Sequence, residues 1–265
     1  MPEHAAATPP RPRRAAGGDP VVDTPSAQEF QREILDKITV AELQSIADRL
    51  DRKSRAMREV LLATEDRLDA VALRRVLRLI FATRRRADQV IDDVGADRLA
   101  AAIVALISGA EDVAAGDQLA ARFDAFDAAL AGQPDAGFDL PGELLHFTYP
   151  GQYWLWTRWL WDPRTKTGAL PLVTTDQVDL SGAEGRGATY LTVGRATAFV
   201  NETGKAAGFT DAAPGLFGTD IFLAAVYGVY MYTVLRMRMT KEFNELVPAL
   251  PDLIRRLLGI YYQEG

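Results

Sequence analysis

Residues 153–161 read YWLWTRWLW, and they hold all four tryptophans of the chain, Trp154, Trp156, Trp159 and Trp161. An indole buries a large apolar area and carries one N–H that needs an acceptor once it is inside. A run this dense is expected to be the hub of a core. The same rings, with Tyr153 and Arg158, also form the candidate ligand- or partner-binding set, because Trp, Tyr and Arg anchor interfaces. Strand spacing pairs Trp154 with Trp156 and Trp159 with Trp161. Helical spacing groups Trp154 with Arg158 and Trp161, and Trp156 with Trp159. In either, Arg158 stands where its guanidinium can stack on an indole.

Upstream of the run the pattern is helical. Ser26 with Glu29, and Thr39 with Glu42, are spelled as capping boxes that satisfy free backbone donors at a helix start. Phe30, Ile34, Leu35 and Ile38 make one apolar face, and Leu43, Ile46 and Leu50 continue at helical spacing. Thr64 is expected to open a third helix, with Leu68, Val71, Ala72, Val76, Leu79 and Ile80 on its face. Residues 97–108 read as an apolar helix stopped by Gly109, and 116–131 as an amphipathic one stopped by Gly132. Residues 132–142, with two Pro and three Gly, are the expected boundary between two modules.

Downstream, 140–149 reads as a short helix or turn. Residues 169–174 and 189–193 look like strands flanking the Gly-rich tip SGAEGRG at 181–187, where Arg186 is placed to meet a partner or anion. Helices follow over 195–207, stopped by Gly208, over 219–239, and from Thr240 and Asp252. Tyr227, Tyr230 and Tyr232 suit a helix packed against the tryptophans, with Gly228 permitting close approach. The apolar stretch 221–235 is 15 residues long. A bilayer span needs about 20, so no membrane span is expected.

The fold expected is thus mainly α, an N-terminal helical bundle plus a C-terminal helical module with a small β-hairpin. Residues 1–25 form a disordered arm, 26–132 a helical module, and 140–265 an aromatic-rich module with strands near 169–193. The arm is rich in Ala, Pro, Gly and Arg, has too few large apolar side chains to order itself, and lacks the apolar run of a signal peptide. A cytoplasmic location is expected.

The 265 residues carry 30 Lys plus Arg against 36 Asp plus Glu, a net charge of −6, with no Cys and two His. Without cysteine there is no disulfide, thiolate nucleophile or Cys-held metal. Residues 96–139 hold eight acids against Arg98 and Arg122, whereas 27–95 nearly cancel. An acidic chain disfavours a dedicated duplex-DNA binder.

The spacing Glu143-x-x-His146 matches half of a di-iron carboxylate site, but the second histidine, His4, lies in the arm. His146 is then expected to be half-buried and bonded within its own turn. Glu143, His146 and Asp162 remain weak catalytic candidates, Glu143 and Asp162 as a carboxylate pair beside the aromatics and His146 as a lone base. Six arginines lie between 74 and 86 with no acid among them, and on one helix Arg74, Arg78 and Arg85 share a side. They are phosphate-binding candidates. The alternative is a solvated helix end whose positive charge suits the helix dipole. Neither Walker nor dinucleotide spelling occurs in the glycine-rich loop. Lys166-Thr-Gly and Gly204-Lys205 lack the partners that would make them motifs. No metal or cofactor is spelled.

The reading is a non-catalytic interaction or assembly protein, a subunit or adaptor with a protein partner. The alternatives are a nucleic-acid-associated protein using the arginine face, and a small-molecule binder or enzyme with a Trp-lined pocket.

Overall fold

A computed structural model describes residues 21–62, 68–110, 116–130, 134–210, 215–238 and 248–260. Within them the fold is mainly helical. The helices are α1 (Thr24–Leu35), α2 (Val40–Leu62), α3 (Ala70–Leu79), α4 (Ala87–Val94), α5 (Ala96–Ile107), α6 (Gly116–Ala129), α7 (Pro134–Thr148), α8 (Arg186–Ala207), α9 (Gly218–Arg238) and α10 (Leu250–Leu257). Residues 1–20 of the arm, Thr64, Gly132 and the helix expected from Thr240 lie outside the described residues; the last five residues of the expected arm are ordered, with Val22 buried, Asp23 N–H donating to Val173 O (3.0 Å) and α1 starting at Thr24.

Several helix starts follow local chemistry. Thr39 N–H donates to Glu42 Oε2 (2.9 Å) and Glu42 N–H to Thr39 Oγ1 (3.2 Å), the reciprocal box expected before α2. The box expected at Ser26 is replaced. Asp23 caps α1 instead, accepting from Ser26 N–H (3.2 Å) and Ser26 Oγ (2.7 Å). At α3 the cap is Asp69, which accepts from Ala72 N–H (2.7 Å). The stops at Gly109 and Gly208 have φ of 65° and 76°, the left-handed region glycine adopts freely.

The β-hairpin is corrected: the described residues contain no strand, only isolated bridges at Val22–Thr174 and Asp162–Thr167. Residues 170–172 form one 3-10 turn, and 189–193 lie inside α8. The β-branched spelling TYLTV misleads because α8 absorbs it. Thr189 and Thr192 hydroxyls bond the carbonyls of Gly185 (2.7 Å) and Ala188 (3.1 Å), four residues back. Tyr190, Val193 and Thr197 are buried with them on the packed side of the helix. Tertiary packing overrides strand propensity here. The 132–142 stretch is not a loop where it is described. It is helix from Pro134, a residue suited to the first helical position, and Phe138 and Leu140 are buried.

α2 packs against α3, α7, α9 and α10, while α6 packs on α5, α7 and α8. Gly187 makes the α6–α8 approach possible, because a Cβ there would lie 2.1 Å from Ala120 O. α9 buries Ile221 to Val226 without a break, so that stretch is covered on every side. No helix of the described residues is long and apolar enough to cross a membrane. Tyr227 meets Trp159 (ring centroids 6.4 Å), as a helix packed on the tryptophans requires.

Candidate functional site

The aromatic run is neither strand nor helix. It is irregular chain up to Thr157 followed by a turn, and most of its polar groups find partners, Thr157 Oγ1 and Trp161 Nε1 being buried without one among the described residues. Tyr190 Oη donates to Trp154 O (3.1 Å), and Ala169 N–H to Trp159 O (2.9 Å). Arg158 N–H donates to Asp139 Oδ1 (2.8 Å). Trp156 Nε1 donates to Trp161 O (3.0 Å), and Trp159 Nε1 to Leu257 O (3.1 Å). α7 backs the run so closely that a Cβ at Gly142 would stand 2.3 Å from Trp156 O.

Tyr153, Trp156, Trp159 and Trp161 are buried, and Trp154 is half-buried. Trp156 is enclosed by Phe123, Phe138 and Tyr190. The guanidinium on its indole belongs to Arg186 (4.9 Å), which also lies over Phe138 (4.0 Å) and donates to Phe138 O (2.7 Å). The sequence put Arg186 at an open tip; the fold turns it inward. Arg158 instead forks onto Asp139 with Nε at 3.1 Å and Nη2 at 2.9 Å.

The catalytic candidates fall into separate ion pairs. Glu143 Oε2 receives Lys53 Nζ at 2.6 Å, and Lys53 also donates to Leu258 O (3.0 Å) and covers the Phe147 ring (4.0 Å). Burial pushes the Glu143 carboxyl up and the Lys53 ammonium down, each opposed by the other's charge. Asp162 pairs with Arg164 (3.2 Å). Burial acts to raise its pKa, but the two arginines nearby, Arg164 and Arg158, hold it below the usual carboxylate value.

His146 is buried rather than half-buried, and its partners lie outside its own turn. Its Nδ1 is 2.8 Å from Tyr153 O, and its Nε2 is 3.1 Å from Asp220 Oδ2. A carbonyl only accepts, so Nδ1 carries a hydrogen. Burial disfavours the imidazolium, yet the Asp220 carboxylate and the Tyr153 carbonyl outweigh it and raise the pKa.

That pair makes a pH prediction. The unfolded histidine titrates near 6.5 and the folded one above it. The stabilisation is complete below the unfolded value and is lost as pH rises through the folded one. Urea midpoints should therefore fall as pH climbs from 6.5 into the alkaline range, and His146→Gln should flatten that decline. A wild-type midpoint unchanged across the window contradicts the pairing.

The arginine stretch divides. α3 ends at Leu79, so the arginines beyond Arg78 leave the helix face expected for them. Arg74 and Arg78 share Asp88, and Arg75 pairs with Glu59. Arg85 belongs elsewhere, in a cleft of about 380 Å³ lined by Phe81, Ala82, Arg84, Arg85, Arg86 and Arg256. The α3–α4 turn that carries three of these arginines is pinned by buried Thr83, whose hydroxyl donates to Leu77 O (2.7 Å). The end of α10 is seated against the same turn: a Cβ at Gly259 would lie 3.3 Å from Phe81 N and 2.9 Å from Lys53 Nζ. This seat brings in Arg256, which the sequence did not single out. Lys53 was also missed, although it falls in the apolar stripe Ile46, Leu50, Lys53, Met57 of α2, all buried.

A second recess, of about 290 Å³, reaches the aromatic run at Trp161 and includes Lys166, Thr174, Asp176, Asp179 and Ser181 in its walls. Among the described residues, no group of three or more His, Asp or Glu side chains is placed to hold a metal ion. In comparisons with protein-family models, curated proteins and solved structures, nothing matches this chain.

Proposed function

We propose that the chain is a non-catalytic interaction protein, an adaptor or subunit working in the cytoplasm, that docks an anionic region of a protein partner at the arginine cleft. The observation that carries this reading is the gathering of Arg84, Arg85, Arg86 and Arg256 at one surface cleft. Planar guanidinium forks suit oxyanions, and side chains on a pinned turn lose less freedom on binding. Glu143, His146 and Asp162 support the non-catalytic part, because each charge is already answered inside the fold. Most of the aromatic run supports it too, as core rather than surface.

The nucleic-acid alternative needs a basic track along the surface. Asp88 and Glu59 interrupt it at Arg74, Arg75 and Arg78. Affinity capture from native lysate, with and without nuclease, separates the two. The expected result is a stoichiometric protein partner that survives nuclease and is lost with Arg85→Glu/Arg86→Glu. Capture that vanishes with nuclease, or is unchanged by the double variant, rejects the proposal.

A further inference from the structure

We infer that the recess beside Trp161 is a binding site for a free α-amino acid, held as its zwitterion. It shares no lining residue with the arginine cleft, so it stands or falls apart from the docking reading.

The first observation is an unanswered donor. The indole N–H groups of Trp156 and Trp159 reach Trp161 O and Leu257 O. That of Trp161 is buried too, in a residue 3 % exposed, but it has no acceptor among the described residues. Of these three tryptophans, Trp161 is the one in the wall of the recess. A buried donor is ordinarily satisfied. A ligand oxygen in the recess would supply the acceptor that the described chain does not.

The second is a set of opposite charges that do not answer one another. Lys166, Asp176 and Asp179 line the recess, and all three are exposed. Among the described residues neither the Lys166 ammonium nor the Asp176 carboxylate has an ion-pair partner, so the two do not pair across the space they share. Asp179 accepts from Ser181 N–H with Oδ1 (2.9 Å), which orients its carboxylate. A free amino acid carries both complements on one small molecule, a carboxylate for Lys166 and an ammonium for Asp176 and Asp179. A neutral sugar answers neither sign of charge. A simple anion or cation answers one.

The third is size and fixed geometry. At about 290 Å³ the recess matches the small end of ligand pockets, which begin near about 300 Å³. Pro171 and Val178 add an apolar wall for the amino acid's own side chain. Lys166 is the one non-glycine residue among those described with a left-handed φ, 56°. Its turn is closed by Lys166 N–H to Asp162 O and Asp162 N–H to Thr167 O, both 2.8 Å. Strain held in place this way is characteristic of ligand clamps. Across the recess, Val178 N–H donates to Thr175 O (3.1 Å) and Thr175 N–H to Val21 O (2.9 Å), which ties that wall to the segment leading into α1. Walls set before binding lose less freedom when a ligand arrives.

Isothermal titration calorimetry of the full chain against each common α-amino acid, taken singly, tests the inference. At least one is expected to bind with a Kd below about 1 mM. Its N-acetyl derivative, which has no ammonium, and its amide, which has no carboxylate, should each bind at least tenfold more weakly. Lys166→Asn removes the ammonium with a residue that tolerates a left-handed φ. It and Asp176→Asn should each lose at least tenfold, and because both positions are exposed their urea midpoints should match the wild type. Arg85→Gln/Arg86→Gln should bind as the wild type does. Binding of none of the amino acids overturns the inference, as does equal binding of either blocked derivative. Binding that survives both recess substitutions, or that is lost in the arginine variant, places the ligand elsewhere and overturns it too.

Discussion

Lys53→Met lowers the stability of the folded chain by about 3–5 kcal/mol, the range for removing one partner of a buried ion pair. Lys53 is fully buried, and its ammonium is the direct counter-charge of Glu143, itself buried on α7. Without it a carboxylate remains in the core with burial raising its pKa, and Leu258 O loses a donor. In a chain of this size, the loss corresponds to roughly 10 °C in Tm. Glu143→Leu alone fails similarly, because it strands the ammonium. The double variant Lys53→Met/Glu143→Leu recovers most of the loss, since both charges leave together and two apolar side chains occupy the space. Urea denaturation of the wild type, both single variants and the double closes the cycle. A double variant as unstable as the sum of the singles rejects the pairing as the source of the effect.

Trp156→Ala costs a similar amount, about 3–5 kcal/mol, through the cavity left by a fully buried indole. The ring touches side chains of three helices: Phe123 of α6, Phe138 of α7 and Tyr190 of α8. Losing it loosens the joint between all three. Trp156→Phe separates packing from hydrogen bonding. It keeps most of the ring but leaves Trp161 O without its indole donor, at a cost of about 1–3 kcal/mol. Urea midpoints should rank wild type above Trp156→Phe above Trp156→Ala. A Trp156→Ala protein within roughly 1 kcal/mol of wild type places the indole outside the core that the three helices share.

The two predictions meet at α7, which contributes Phe138 to the aromatic side and Glu143 and His146 to the buried charges. The residues that looked most chemical in the sequence therefore hold helices together. The docking surface we propose lies where α10 is seated on the α3–α4 turn.

Some of this was legible in the sequence for local reasons. Apolar spacing marked α2, α5, α6 and α9 because a helix buries one stripe, or in α9 every side, and spells that period directly. Thr39 with Glu42, Gly109 and Gly208 marked helix ends because their effects act within a few residues. The tryptophan run announced a core because four indoles so close together have few other places to go. Where local preference and packing disagree, as at 189–193, the sequence misled. TYLTV carries strand propensity, but its buried positions face α6 only when wound into α8.

The candidate site was legible only in part. Arg85 was read as one of a trio on a helix face, and the fold separates it from Arg74 and Arg78. Lys53 and Glu143 lie 90 residues apart. Gly259 brings Arg256 to a turn far earlier in the chain. Helical period and capping belong to neighbouring residues, so the sequence alone determined helices such as α2, α5, α6 and α9. Which charges are paired and which face solvent is set by side chains brought together from distant helices, and only the tertiary structure decided it.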